Sequence, residues 1–100
     1  MEARFAEPNV LILASLSGGP KHGYALIKDI EEMAGTKLGP GTLYGALSRL
    51  VQAGLVEALP AQDRRRPYRI TPAGAAAARA YLLQVQRVAV AGLKRLEAFA

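Results

Sequence analysis

The sequence predicts a mainly α-helical fold with a small β-hairpin, closed by a long C-terminal helix. Three observations carry this. Prolines stand at the starts of three apolar, helix-spaced segments, at Pro8, Pro40 and Pro72, where a missing backbone N–H costs nothing. Leu55-Val56-Glu57-Ala58-Leu59 and Tyr68-Arg69-Ile70 read as two strands around a polar, basic turn. From Ala78 to Phe99 an apolar stripe recurs at alternating spacings of three and four residues, the pattern of a helix seam.

The first helix opens at Glu7-Pro8 and ends at Gly18-Gly19-Pro20. Its residues Val10 to Leu16 are almost continuously apolar, so it is expected to be buried on most sides. The second spans His22 to Ala34, with Leu26, Ile27, Ile30 and Met33 on one face and Gly35 as the terminating glycine. Thr36-Lys37-Leu38 then leads to Gly39-Pro40, which starts the third helix. Its core face is Leu43, Ala46, Leu47, Leu50 and Val51, and Gly54 ends it. After the hairpin, Thr71-Pro72 caps and opens the last helix.

Composition narrows the function. One hundred residues make one folding unit, and 51% of them are hydrophobic, enough for a core. The net charge of +5 favours a polyanionic partner. The absence of cysteine removes disulfides, thiolate metal sites and cysteine nucleophiles. No apolar run approaches the roughly 20 residues of a membrane span. Val10 to Leu16 imitates a short signal-peptide core, but Glu2 and Glu7 precede it where positive charge is required. A cytoplasmic protein is expected. No metal-ligand spacing, phosphate loop or nucleophile elbow occurs, the carboxylates are scattered, and His22 has no sequence partner for a triad. No catalytic residue, metal or cofactor is assigned.

Two helices joined by a tight turn make a helix-turn-helix, and a basic hairpin beyond it makes a winged helix. The second helix of such a motif enters the major groove of DNA. Its outward residues are Thr42, Tyr44, Ser48, Arg49 and Gln52, with Gly41 and Gly45 permitting close approach. Hydroxyls suit phosphate oxygens, Arg49 suits guanine and Gln52 suits adenine. Arg64, Arg65 and Arg66 crowd the hairpin tip, where a partner anion relieves their repulsion. Lys21, His22 and Tyr24 begin the second helix, beside its free N–H groups. The competing readings are a solvated face, or a winged helix that binds protein and no DNA.

The last helix divides the chain into a winged-helix unit, residues 1–71, and a dimerisation helix, residues 72–100. The seam for a second copy is Ala78, Leu82, Val85, Ala89, Gly92, Leu96 and Phe99, widened by Tyr81, Leu83, Val88, Val90 and Leu93. The alternative is that this helix folds back on the first.

The series His22-Gly23-Tyr24, Gly39-Pro40-Gly41-Thr42-Leu43-Tyr44, Ala46-Leu47 with Arg49-Leu50, Gly54-Leu55-Val56-Glu57 and Tyr68-Arg69-Ile70-Thr71 with Gly74 resembles the PadR family of bacterial transcriptional regulators. The resemblance covers nearly the whole chain and points to the short subfamily with a single C-terminal helix. It implies a homodimer on a pseudo-palindromic double-stranded DNA operator, usually a repressor, released by a small aromatic or drug-like effector. It implies DNA contacts at Tyr24, Thr42, Tyr44, Ser48, Arg49 and the wing arginines. Gly39 stands where the family usually has a serine cap, Gly45 where proline is common, and Pro67 where a typical strand residue stands. The first two departures predict a looser third helix, and the last a shorter wing. The chain has no tryptophan, so Tyr81 and Phe99 are the aromatic residues of the last helix available to a flat ligand.

Overall fold

The computed structural model describes residues 7–99; Glu2 of the leader argument lies outside them. In chain order the elements are α1 (Pro8–Leu16), β1 (Lys21–His22), α2 (Gly23–Ala34), α3 (Pro40–Gln52), β2 (Val56–Ala58), β3 (Pro67–Ile70) and α4 (Pro72–Glu97). The fold is mainly helical with a small antiparallel sheet of strand order β1-β3-β2. The hairpin is therefore two strands of three. Lys21 pairs with Tyr68 and His22 with Pro67, so the residues just before α2 form the far edge of the sheet. A two-residue strand leaves no periodic trace in sequence, which is why it was not expected.

An apolar helix with no polar stripe must be surrounded, and α1 is. Leu11, Ile12, Leu13 and Leu16 are buried, and α1 touches α2, α3, α4 and β3. Leu26, Ile30, Leu43, Ala46, Leu47, Leu50 and Val56 complete the core, with Leu38 of the α2–α3 connection plugged into it. Ser15 is the buried polar residue of the core; its Oγ donates to Asp29 Oδ2 at 2.5 Å. Lys21 Nζ donates to the Ser15 carbonyl at 2.5 Å and lies 3.8 Å from Asp29. The triad ties α1, α2 and β1 together and leaves no buried hydrogen-bonding side chain unsatisfied among the described residues.

Two expected core residues are on the surface. Met33, in the last turn of α2, is 47% exposed. Val51 is 36% exposed, because it lies about 80° around α3 from the centre of the Leu43–Leu47–Leu50 stripe at about 100° per residue. Gly39 caps α3 without a side-chain bond, yet the helix begins at Pro40 and its first turn closes through Leu43 N–H to the Gly39 carbonyl at 3.0 Å. Pro67 starts β3 and still accepts from Leu59 N–H at 2.9 Å, so the ladder runs to the base of the turn.

The junction of hairpin and last helix is closely packed. Thr71 caps α4 by accepting from Gly74 N–H at 3.0 Å, and its hydroxyl donates to the Gly54 carbonyl at 2.7 Å. Its own N–H donates to the Leu55 carbonyl at 3.1 Å. Gly74 lies so close to the segment before β2 that a Cβ would stand 2.9 Å from the Leu55 carbonyl carbon and 2.9 Å from Ile70 Cγ1. Only glycine fits there, although alanine is the better helix former.

After Ala78, which is buried against α1, α4 leaves the domain. Principal extents of 54 × 26 × 21 Å and a radius of gyration of 15.1 Å compare with about 13 Å for a compact chain of this length. Tyr81, Leu82, Leu83, Val85, Val88, Val90, Leu93 and Leu96 are exposed along it. The helix ends at Glu97, so Phe99, assigned to the seam, stands beyond it with 79% of its surface exposed. The alternative in which the last helix folds back on the first holds only for its opening turns.

Replacing Gly74 with alanine drives a Cβ into backbone that cannot move aside, and is expected to destabilise the fold by about 3 kcal/mol despite the gain in helix propensity. Thr71→Ala removes a cap and a tie to Gly54 and is expected to cost about 1–2 kcal/mol. Chemical denaturation monitored by circular dichroism checks both.

Candidate nucleic-acid interface

Beside the shared core, α2 and α3 meet in one aromatic contact. A Cβ on buried Gly23 would stand 2.7 Å from Tyr44 Cζ, so the phenol of α3 lies against the first turn of α2. In that contact Tyr44 remains 49% exposed. Thr42, Ser48, Arg49 and Gln52 are exposed on the same side of α3. The Arg49 guanidinium folds back along the helix: a Cβ on Gly45 would stand 3.6 Å from its Nη1. A proline at Gly45 would crowd that path.

The hairpin tip is a two-residue turn. Gln62 and Arg65 exchange both backbone hydrogen bonds, at 2.6 and 2.8 Å. Asp63 and Arg64 between them have φ of 49° and 66°. Positive φ at both central residues is the type I′ geometry that matches strand twist and favours Asn-Gly. Here an arginine occupies the position where glycine is preferred, at a cost of about 1 kcal/mol or more. The turn thus gives up stability to carry a long cation at its apex.

Of the three arginines, Arg65 and Arg66 have different partners. Arg66 Nη1 donates to the Leu59 carbonyl at 2.8 Å, which pins it to the hairpin. Arg65 Nη1 lies 3.4 Å from His22 Nε2. Arg64 stands at the apex. Among the described residues the ion pairs are Lys21–Asp29 and the cross-strand Arg69–Glu57 at 3.1 Å. Asp63 adjoins the arginines in sequence but pairs with none of them. The wing therefore presents three guanidinium charges without carboxylate partners.

One shallow cavity, between the wing and the first turn of α2, is lined by Tyr24, Tyr44, Arg64, Arg65 and Arg66 together with His22 and Tyr68. It brings the wing arginines together with two of the predicted α2–α3 residues. Thr42, Ser48, Arg49 and Gln52 lie outside it on the open face of α3. His22, placed by the sequence at the start of α2 beside its free N–H groups, had no expected contact with the wing. It ends β1, caps α2 by accepting from Ala25 N–H at Nδ1 (3.4 Å), and faces the wing with its other nitrogen. Its position at a helix start signals the cap, whereas the approach of Arg65 from 43 positions away has no local signal.

A helix-turn-helix backed by a three-stranded antiparallel sheet, with a cationic hairpin beside its second helix, defines a winged-helix protein. The sequence pattern of the transcriptional regulator PadR-like family matches residues 12–80, and the chain belongs to that family. It is a family of transcriptional regulators, not of enzymes. An uncharacterised 37.1 kDa protein of transposon Tn4556 in Streptomyces fradiae is 48% identical over 71 residues, which are 71% of this chain and 21% of that protein. The transcriptional activator GvpE2 of Halobacterium salinarum is 34% identical over 74 residues, 74% of this chain and 37% of the relative. The chain thus spans between about a fifth and two fifths of the length of these curated relatives. The crystal structure of a PadR family transcription regulator from Clostridium difficile superposes with a TM-score of 0.79 at 21% identity, covering 89% of this chain and 97% of that one. At that identity the likeness establishes the fold.

Arg64→Gly relieves the αL arginine at the turn and is expected to raise stability by about 1 kcal/mol. Denaturant unfolding of the variant beside the native chain measures it. A stability equal to or below that of the native chain would mean that Arg64 is not strained.

Proposed function

We propose that the chain binds double-stranded DNA as a homodimer and regulates transcription from a pseudo-palindromic operator. The observation that carries this is the exposed polar face of α3 lying beside a hairpin whose three arginines have no carboxylate partner. Thr42, Ser48, Arg49 and Gln52 take the major groove; Tyr24, Tyr44 and the wing arginines take the backbone around it. A winged helix built to bind only protein has no use for a strained, unpaired cationic turn.

Residues 1–71 act as the reading unit and residues 72–100 as the dimerisation helix. Supporting this division, α4 carries an exposed apolar stripe that the chain itself does not cover, and such a stripe is stable in water only when a partner buries it. Leu82, Val85, Ala89, Gly92 and Leu96 form the contact, with Phe99 closing its end. Two copies related by a two-fold axis present their α3 helices to successive major grooves, about 34 Å apart. Occupancy of a promoter by such a dimer blocks polymerase, so repression is the expected outcome, although GvpE2 is by name an activator. A small apolar effector has a place to act where Tyr81 meets Val10 and Leu13 of α1 in a groove almost free of polar surface. A cytoplasmic site of action fits a DNA partner, and no described helix is long and apolar enough to cross a membrane.

Fluorescence anisotropy on duplex DNA from upstream of the gene tests the reading. Affinity should fall steeply with salt, and alanine at Arg64, Arg65 and Arg66 together should reduce the log–log slope by about 2 to 3. Salt-independent binding, or an unchanged slope, would overturn the wing assignment. Val85→Asp should yield a folded monomer by sedimentation, with DNA binding weakened at least a hundredfold; a fully active monomer would break the link between seam and operator. Gly92→Ala separates helix propensity from packing. It is expected to weaken self-association while adding about 1 kcal/mol of intrinsic helix stability.

A further inference from the structure

We propose that His22 and Arg65 form a two-donor clamp for one oxygen of a DNA backbone phosphate, seated in the cavity between the wing and α2. The proposal rests on the DNA-binding reading above and adds to it a residue, a ring tautomer and a contact.

Its basis is a hydrogen-bond count. A neutral imidazole has one acceptor nitrogen. In His22 that nitrogen is Nδ1, which accepts from Ala25 N–H at 3.4 Å and caps α2. Nε2 then carries the hydrogen. It faces Arg65 Nη1 at 3.4 Å, and a guanidinium nitrogen also only donates. Two donors thus converge with no acceptor between them. If the ring took the other tautomer to accept from Arg65, it would lose its bond to Ala25. An anionic oxygen placed against both N–H groups resolves the conflict, accepting from Nε2 and from Nη1 while Nδ1 keeps the cap.

The surroundings select the anion. The cavity holds Arg64, Tyr24, Tyr44 and Tyr68 and no carboxylate, so its charge and hydroxyl donors favour an oxyanion; His22 and Arg65 also line a neighbouring cleft with Lys21 and Asp63, and Asp63 forms no ion pair with Arg65. Its walls come from α2, α3 and the wing at once. An oxygen bound there lies between the groove-facing helix and the hairpin, where a duplex backbone would run, and that makes a phosphodiester the occupant. The pairing of His22 with Pro67 in the sheet holds the ring beside the base of the wing. His22 is therefore placed by two backbones before any DNA arrives.

Two substitutions divide the ring between its functions. His22→Asn puts an acceptor where Nδ1 stands and nothing where Nε2–H stands. His22→Gln puts an amide N–H near Nε2 and gives up the cap. The clamp predicts that His22→Asn melts like the native protein and binds duplex about tenfold more weakly, the loss of one charge-assisted contact. His22→Gln melts lower and keeps most of the affinity. In the His22→Asn, Arg65→Ala pair the losses should fall well short of multiplying. Native-like DNA affinity of His22→Asn, or losses that multiply in the pair, would overturn the clamp while leaving the DNA-binding reading intact. If the native protein fails to bind duplex in a salt-dependent way, both fall. Titration of the His22 ring resonances by NMR separates the sources of phosphate. Duplex should shift them to saturation at micromolar concentration and inorganic phosphate should not. Saturation by micromolar inorganic phosphate would make a free anion the ligand and overturn the assignment to DNA.

Discussion

The approach of two backbones at Gly74 and Leu55 is the constraint on which the rest of the structure depends. At that point the end of α3, the return of the hairpin and the departure of α4 occupy one small volume, held by the Thr71 hydroxyl on the Gly54 carbonyl and the Thr71 N–H on the Leu55 carbonyl. A side chain at position 74 would separate them. Because they touch, the direction of α3 is tied to the direction of α4 through backbone, with no flexible linker between the reading surface and the helix that exits the domain. Leu13 and Leu16 of α1 share the core with Ala78, one turn beyond Gly74 in α4.

The same economy governs the wing. A type I′ turn allows only two residues at its tip, and twist alone would choose Asn-Gly. Asp63 and Arg64 stand there instead, and the neighbouring arginines are split between a carbonyl of the hairpin and the ring of His22. Stability is lost at the turn and cationic reach is gained. Around α2 the reverse trade holds: Gly23 has no side chain, and its absence admits the Tyr44 phenol of α3.

The helices were legible because proline and glycine punctuate them. Pro8, Pro40 and Pro72 each occupy a first helical turn, and Gly35 takes the left-handed conformation after α2 with φ of 69°. The polar face of α3 was equally plain, since its stripe obeys helical spacing. What escaped was long-range or very short. The strand β1 is two residues whose partners lie 45 and more positions away, and no local pattern reports that. The link from His22 to Arg65 spans 43 positions. Met33 and Val51 have the right residue type and nearly the right phase, but burial depends on what other elements reach, and nothing in a helical repeat encodes it. The cavity joining Tyr24 and Tyr44 to the wing belongs to the same class: those tyrosines and the three arginines were each nominated, His22 and Tyr68 were not, and only folding brought them to one place.

The 26-residue length of α4 has a mechanical meaning. At 1.5 Å per residue the helix is a rod of about 39 Å, set into the reading unit at its base without a hinge. A rigid rod magnifies angle into distance: a change of about 5° along its length displaces the far end by about 3.4 Å, close to the rise of one base pair. Two such rods crossing at a seam would convert a change in side-chain packing too small to disturb either core into a full step of misregister between the two half-sites. In the proposed dimer, α4 would work as a gear between a contact measured in methyl groups and a target measured in base pairs.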